Sequence, residues 1–371
     1  MERIIRYFIK FIKAKKNFFP PKKVDVLIYD KTGTEDLIKY FKKYNFSILC
    51  TRGEEVNLYI MLKSILNFEF NYRKYIQNYI NEVKPKIIIT LVDNNSYFYS
   101  LKKKESTFKT VFIQKSVRTY FNDIFNKIDE LKKKPCNVDV MFVANKHVGK
   151  IYSSFIKGKV IPIGYFRNNS IKIGSGKKLK EILIISVFRT YDEKKIIYKN
   201  ISFADFFKND EKFYSWLKVF CEKNNLKINI LARSHLEEDF FNEKKYFRNF
   251  FPKSNVIYEK NNPYKWIDKY EYVVTNDSTL GVENISRGGK TAFVCNSPHV
   301  YPLTTRKFGY NENFANEGPF WTKKNQIKDF NKVLKFLIKN KKSKWSNYSK
   351  EALNYDKNNQ TFQNEIKKLL K

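Results

Sequence analysis

The stretch from Tyr272 to Cys295 holds the residues best suited to chemistry. An apolar run, Tyr272-Val273-Val274-Thr275, ends in Asn276-Asp277-Ser278-Thr279. A short helical pattern containing Gly281 and Glu283 follows, Gly288-Gly289 stops it, and a second apolar run leads from Thr291 to Cys295. Small hydroxyls and a glycine at a helix N-terminus leave backbone N–H groups facing outward, and the helix dipole adds to their attraction for an anion. The turn therefore suits a phosphate, with Ser278, Thr279 and Gly281 lining it. The competing reading makes Ser278 and Thr279 plain N-caps. Glu283, one turn into the helix, is placed either to take ribose hydroxyls or to face solvent. Asp277 would repel a phosphate and has no assigned role.

Other candidates stand at other strand ends. In the second half of the chain Arg189 follows the run Glu181–Val187, and Arg233 with His235 follows Lys227–Leu231. Two guanidinium groups and a helix N-terminus on one sheet edge would clamp a monophosphate or a pyrophosphate. Each arginine could instead serve a surface ion pair. In the first half, Asp30, Asp93 and Gln114 end apolar runs at the same kind of edge. Attack by a substrate hydroxyl needs a base to take its proton. Asp93 is the first choice and Asp30 the second, with an Asx-turn or cap as the alternative for Asp93. Gly33 would allow close backbone approach, while Gln114 and Arg118 would orient the substrate. His147, His235 and His299 form no metal-ligand spacing, and no HExxH or DxD run is present. A metal-independent reaction without a cofactor is expected, the positive clamp stabilising the leaving phosphate. His299 is a minor catalytic candidate.

These residues need strands whose carboxyl ends share an edge. Apolar runs at Val24–Tyr29, Phe46–Cys50, Lys86–Val92, Thr110–Ile113, Val138–Val143 and Lys159–Ile161 alternate with helical patterns. That alternation predicts a doubly wound α/β domain. Gly164, Asn168-Asn169 and Gly174-Ser175-Gly176 mark a linker. A second alternation follows, through Glu181–Val187, Lys227–Leu231, Val256–Tyr258 and the opening unit. The expected organisation is an N-terminal basic amphipathic helix over 1–22, an acceptor-side α/β domain over 23–165 and a nucleotide-side α/β domain over 178–371. The fold class is α/β, two Rossmann-like domains facing a cleft, an outline shared by the glycosyltransferase-B architecture and by several other two-domain α/β proteins.

Composition bounds the partners. The chain has 371 residues and a formal net charge of +35, which fits an anionic membrane, a nucleic acid or an anionic small substrate. No helix-turn-helix, zinc finger or RNP-like aromatic motif accompanies the charge, which argues against nucleic acid. Ile4, Ile5, Phe8, Ile9, Phe11 and Ile12 share one face of an N-terminal helix, with Arg3, Arg6, Lys10 and Lys13 opposite and Lys15 and Lys16 extending the basic run. Residues 1–16 could lie on an anionic bilayer or pack on their own domain. Cys50, Cys136, Cys221 and Cys295 lie far apart beside apolar runs and read as reduced thiols. With no signal peptide and no apolar run of membrane-spanning length, the expected location is the cytoplasm, with peripheral attachment to the inner membrane face.

Several stretches resemble the bacterial surface carbohydrate biosynthesis proteins with a glycosyltransferase-B-like fold. They are Ile89-Thr90-Leu91-Val92-Asp93-Asn94, Phe112-Ile113-Gln114-Lys115-Ser116-Val117-Arg118, Ile184-Ile185-Ser186-Val187-Phe188-Arg189, Asn276-Asp277-Ser278-Thr279-Leu280-Gly281-Val282-Glu283, and Gly318-Pro319-Phe320-Trp321. Where that family tends to carry Gln-Asn-Gly, this chain has Gln114-Lys115-Ser116. The resemblance implies a transferase for capsule, lipopolysaccharide or another surface glycan, using a nucleotide sugar and a glycan or lipid-linked acceptor. A more distant similarity, to transferases of CMP-activated ulosonic acids, implies an acidic donor sugar. The alternatives are a nucleotide-sugar epimerase, a polyol-phosphate transferase, and a basic membrane- or nucleic-acid-binding protein without enzyme activity.

Overall fold

A computed structural model describes residues 11–371 apart from 70, 119–122, 189–195, 199–200, 203–204, 206–207, 235 and 295–307. Strands β1 (Val26–Tyr29), β2 (Phe46–Leu49), β3 (Ile87–Thr90), β4 (Lys109–Ile113), β5 (Asn137–Val143) and β6 (Lys157–Pro162) form a parallel sheet ordered β2-β1-β3-β4-β5-β6. The apolar runs explain the choice. Successive residues of a strand point to opposite faces, so a run such as Ile87-Ile88-Ile89 is soluble only when both faces are covered, as they are in a parallel sheet wrapped by helices. Leu27, Tyr29, Ile88 and Phe112 enter one core, while Val26, Ile28, Ile87 and Ile89 enter the core on the other face.

A second parallel sheet contains β7 (Leu179–Ile185), β8 (Ile228–Leu231), β9 (Asn255–Ile257), β10 (Tyr270–Thr275), β11 (Thr291–Val294) and β12 (Trp321–Thr322), ordered β9-β8-β7-β10-β11-β12. The expected pair of Rossmann-like units is what the chain forms. In each sheet the strand order reverses once, between β1 and β3 in the first and between β7 and β10 in the second. A crevice opens there at the carboxyl ends of the strands, where open α/β sheets bind ligands. Helices α1 (Thr34–Phe41), α2 (Phe166–Ser170), α3 (Tyr264–Lys269), α4 (Thr279–Ser286) and α5 (Gln360–Leu370) matter most for the site.

Two parts of the chain depart from the expected layout. The N-terminal helix does not reach residue 22. Residues 11–13 are helical, but Lys15–Asn17 form a strand parallel to Glu55–Asn57. Lys15 donates its N–H to the Glu54 carbonyl at 3.0 Å, so the neighbouring strand answers this backbone instead of a helix. Most of the basic amphipathic stretch, residues 1–10, lies outside the described residues. At the other end α5, which sequence places in the second unit, packs on the first sheet. Phe362, Ile366 and Leu370 join the core of Val26, Ile28 and Phe142. The Phe362 ring lies 4.8 Å from that of Phe166 and 5.1 Å from that of Phe142.

The chain therefore crosses between units twice, and the crossings lie side by side. Asn169 Nδ2 donates to Asn359 Oδ1 at 2.9 Å, Asn359 Nδ2 donates to the Phe166 carbonyl at 2.8 Å, and Asp356 N–H donates to the Ile163 carbonyl at 3.1 Å. Gly164, at φ 83°, sits where an added Cβ would lie 2.2 Å from the Asn354 carbonyl oxygen, so only glycine lets the two crossings touch. Cys136 and Cys221 are buried free thiols and Cys50 is a half-buried one, while Cys295 lies outside the described residues. Among the described residues no helix is long and apolar enough to cross a membrane.

Phe362→Ala empties a fully buried ring site between α1, α2 and the first sheet. It should cost about 3–5 kcal/mol, read as a fall in the urea unfolding midpoint. An unchanged midpoint would mean that the last helix is not part of the folding unit.

Candidate active site

At the first crevice, β1 ends in Asp30, a non-glycine residue at φ 77°. The side chain holds this conformation by an Asx-type bond, Thr32 N–H to Oδ1 at 2.8 Å. Its other oxygen accepts from the Thr51 hydroxyl at 2.6 Å and from Arg52 Nε at 2.8 Å. Burial pushes the Asp30 carboxyl up, but the bonds from Thr51, Arg52 and Thr32 outweigh it, and its pKa lies below the usual value. Gly33, at φ 81°, is the N-cap of α1. An added Cβ there would come within 3.1 Å of Leu91 and 3.3 Å of Lys115 Nζ.

Asp93, the first-choice base, is held inside the first unit by its surroundings. Asp93 is 0% exposed. Oδ1 accepts from Lys115 N–H at 3.1 Å and from Arg118 Nη2, and Oδ2 accepts from Arg118 Nε at 2.7 Å and from the Tyr152 hydroxyl at 2.6 Å. Its carbonyl accepts from the Tyr99 hydroxyl. A carboxylate so fully engaged anchors the loop after β4. Burial disfavours the charged Arg118 guanidinium, but Asp93 outweighs burial and shifts its pKa upward. Arg118 also faces Asp123 at 3.5 Å. Gln114 is buried in the same role: Nε2 donates to the Ser116 carbonyl at 2.9 Å and Oε1 accepts from Ala144 N–H at 2.8 Å. Both side chains expected to orient substrate thus hold the loop's shape.

At the second crevice, β10 runs into α4 through Asn276-Asp277-Ser278. Ser278 is the N-cap, its hydroxyl accepting from Leu280 N–H at 3.3 Å. The Thr279 hydroxyl accepts from Val117 N–H at 3.1 Å, which joins the two units at the mouth of the cleft and leaves the hydroxyl proton able to donate elsewhere. Gly281 owes its identity to packing, since an added Cβ would lie 2.7 Å from Thr275 Cγ2 and 3.1 Å from the Phe293 ring. The helix lies flush on its sheet for that reason, and the Gly281 N–H is taken by the Ser278 carbonyl at 3.0 Å. Arg233 stands at the end of β8, exposed, with Nη1 donating to the Phe188 carbonyl at 3.2 Å and its N–H donating to the buried Glu243. Arg189, His235 and His299 lie outside the described residues.

Glu283 is buried, in contrast to a solvated helix residue, and it belongs to a cluster that the sequence did not reveal. Burial raises its pKa to about 8, against the Tyr264 hydroxyl, Arg167 and Arg287. Asp36, in the first turn of α1, lies within electrostatic reach of both Glu283 and Tyr264. Burial raises the Asp36 pKa too, opposed by Arg167, whose Nε lies 3.8 Å from Oδ1. Asp36 and Lys115 come from the first unit, Arg167 from the first crossing, and Tyr264 and Glu283 from the second unit. No local motif marks Asp36, Arg167 or Tyr264, because their proximity arises only when the two sheets face each other. Arg287, after α4, is also tied to the crossing. It forms a paired contact with Asp268 and donates to the Ile171 and Lys172 carbonyls at 3.1 Å each. Among the described residues no group of three or more His, Cys, Asp or Glu side chains could hold a metal ion.

Two measurements test this arrangement. Asp93→Asn removes the carboxylate that grips the buried Arg118, leaving only Asp123 at 3.5 Å as its counter-charge, and should cost about 3 kcal/mol of stability in urea unfolding; full stability would restore Asp93 as a candidate base. For Glu283, the folded state holds a proton up to a pH of about 8, whereas the unfolded carboxyl loses it near 4.5. Its contribution to stability is therefore present at low pH and is lost as pH rises through that window. The wild-type melting temperature should fall over the window relative to Glu283→Gln, and parallel curves would refute the buried, protonated carboxyl.

Residues 111–370, well over half of the chain, match the family described as "putative O-antigen biosynthesis protein". No curated protein matches the sequence. A solved structure of the wall teichoic acid polymerase TagF is similar over 95% of this chain and 89% of that one, with a TM-score of 0.52 and 12% identity. A second TagF structure gives a TM-score of 0.50 at 11% identity, over 95% of this chain and 90% of that one. A "putative UDP-N-acetylglucosamine 2-epimerase" from Listeria monocytogenes is similar over 90% of this chain and 93% of that one, with a TM-score of 0.52 and 10% identity. At these identities the likeness is one of fold, the two-unit glycosyltransferase-B architecture. Family follows from the sequence match: the chain belongs to the O-antigen biosynthesis protein family.

Proposed function

We propose that the chain is a metal-independent glycosyltransferase of surface-glycan assembly, which takes a sugar from a nucleotide donor and adds it to a glycan or lipid-linked acceptor. The observation that carries this reading is the pair of opposed crevices, bridged by the Val117 N–H to Thr279 hydroxyl bond. The N-terminus of α4, Ser278, Thr279 and Arg233 would receive the donor phosphate, and Arg189 and His235 are proposed to complete that clamp. Positive charge there would stabilise the leaving phosphate without a cation. Protonated near neutral pH, Glu283 could donate a hydrogen bond to the donor where an ionised carboxylate would repel its phosphate.

Asp36 is the proposed base. Its pKa is raised, and it sits beside Gly33 and opposite Glu283, whereas Asp30 is held low by the hydrogen bonds from Thr51, Arg52 and Thr32. In a single displacement the acceptor oxygen attacks the anomeric carbon and its proton passes to Asp36. The bond from that carbon to the phosphate oxygen breaks with inversion, and the nucleotide leaves. The family to which the chain belongs supports the surface-glycan setting. A CMP-activated acidic sugar is the finer proposal, because a cationic clamp suits a donor bearing both phosphate and carboxylate.

A thermal-shift panel of CMP, UDP, GDP and their sugar conjugates tests the reading. A nucleotide present at about 100 times its Kd stabilises the native state by about 2.7 kcal/mol. That shift should shrink in Arg233→Ala. No response to any nucleotide would overturn the proposal, and selective response to UDP or GDP would overturn the CMP donor. Asp36→Asn should keep the shift and lose about 10²–10⁴ in kcat. Release of free nucleotide without an acceptor would favour a hydrolytic epimerase.

A further inference from the structure

The helix Leu58–Leu66 is built the wrong way round for water. It buries Ile60 and Ser64, and the Ser64 hydroxyl donates to the Ile60 carbonyl while accepting from Asn78 Nδ2. Leu62 and Leu66 are 57% and 77% exposed, and Ile65 is exposed beside them. A helix on the surface of a soluble domain turns its apolar stripe inward. Phe18 and Phe19, 69% and 77% exposed, adjoin this helix. The strand Lys15–Asn17 pairs with Glu55–Asn57, which leads directly into the helix, and Asn57 Nδ2 donates to the Phe19 carbonyl at 2.9 Å. Isolated exposed apolar residues need no explanation, but Leu62, Ile65 and Leu66 at i, i+3 and i+4 of one helix, with two exposed phenylalanines just after the strand that pairs beside its N-terminus, mark an interaction surface.

Charge around the face selects the occupant. Residues 11–24 contain five Lys and no acid. Lys13, Lys15, Lys22 and Lys23 are exposed beside Phe18 and Phe19. Near the helix, Glu82 is paired with Lys63 at 2.7 Å and Glu69 with Lys74 at 2.8 Å. An apolar centre with aromatic side chains and a cationic margin matches a bilayer of anionic lipids, with acyl chains below and acidic headgroups at the rim.

We propose that the first unit docks on an anionic lipid bilayer through the face formed by Phe18, Phe19 and the 58–66 helix. This face adjoins the first crevice. Thr51 and Arg52, which hold Asp30, lie on the connection between β2 and the helix, and the exposed Tyr72 is within electrostatic reach of Asp30. Docking would place the acceptor side of the cleft at the membrane surface, where a lipid-linked acceptor presents its sugar. That last step rests on the transferase reading, while the docking itself does not.

The test is co-sedimentation of the full chain with vesicles of phosphatidylglycerol in phosphatidylcholine, or of phosphatidylcholine alone. Wild type should bind the anionic vesicles only, and added salt should weaken binding. Leu62→Glu/Leu66→Glu alters exposed positions and should keep the melting temperature and the nucleotide response. It should lower vesicle binding by at least about tenfold, two leucines being removed from the apolar contact. Wild-type binding of neither vesicle would overturn the proposal. So would undiminished binding by the variant together with its loss on deleting residues 1–10, which would assign the contact to the N-terminal segment. A wild-type dimer that the variant converts to monomer, without vesicle binding, would assign the face to a second copy of the chain. Because nucleotide response is read on the same samples, failure of docking and failure of the transferase reading are separable.

Discussion

The buried pair of Asp93 and Arg118 is the constraint from which the cleft is built. Taking two opposite charges out of water is costly, and the cost is offset only where geometry is good and the remaining hydrogen-bonding groups are satisfied. Here the guanidinium grips both carboxylate oxygens, and Lys115 N–H and Tyr152 occupy further acceptor positions. With Gln114 tied to Ala144 and Ser116, the loop from 114 to 118 has little freedom. Its fixed shape aims the Val117 N–H at Thr279. A charge pair inside the first unit thereby sets where the first residue of a helix in the second unit meets it.

Around that joint, the protein gives its carboxyl groups different tasks through their surroundings. Asp30 collects donors from Thr32, Thr51 and Arg52 and stays ionised. Asp36 and Glu283 sit deeper relative to the cations near them, and desolvation wins. Three acids near one cleft therefore differ in their readiness to hold a proton, which is the raw material for acid–base chemistry. Arg167, at the first crossing, faces this cluster, so the proton affinity of the cleft depends on how the units are joined.

Much of the fold was legible because buried parallel strands must be apolar on both faces. Runs such as Ile87-Ile88-Ile89 and Tyr272-Val273-Val274 announce themselves, and the polar residue after each marks the carboxyl edge. The role of that polar residue is not legible. An aspartate at a strand end reads alike whether it faces a substrate or an arginine 25 positions later, and Asp93 proved to face Arg118. Gly281 has the same ambiguity, since close approach to a ligand and close packing on Thr275 both demand glycine. Helix α5 carries an ordinary amphipathic pattern that says it must pack but not on what. The N-terminal strand was hidden for another reason: a three-residue pairing is decided by its neighbour's backbone, and local composition favours a helix there. Asp36, Arg167 and Tyr264 could not have been grouped from spacing at all.

The paired crossings carry a mechanical consequence. A single linker would let one unit swivel about the bond directions of a few residues. Two stretches of chain lying side by side, clasped by Asn169 and Asn359 and brought into contact at Gly164, remove twisting and leave bending about the line through both. Any opening of the cleft would then be a bend about that spine, with the facing edges kept in the same register. Alignment of the two half-sites is thus stored in the spine, remote from the groups that touch the reactants.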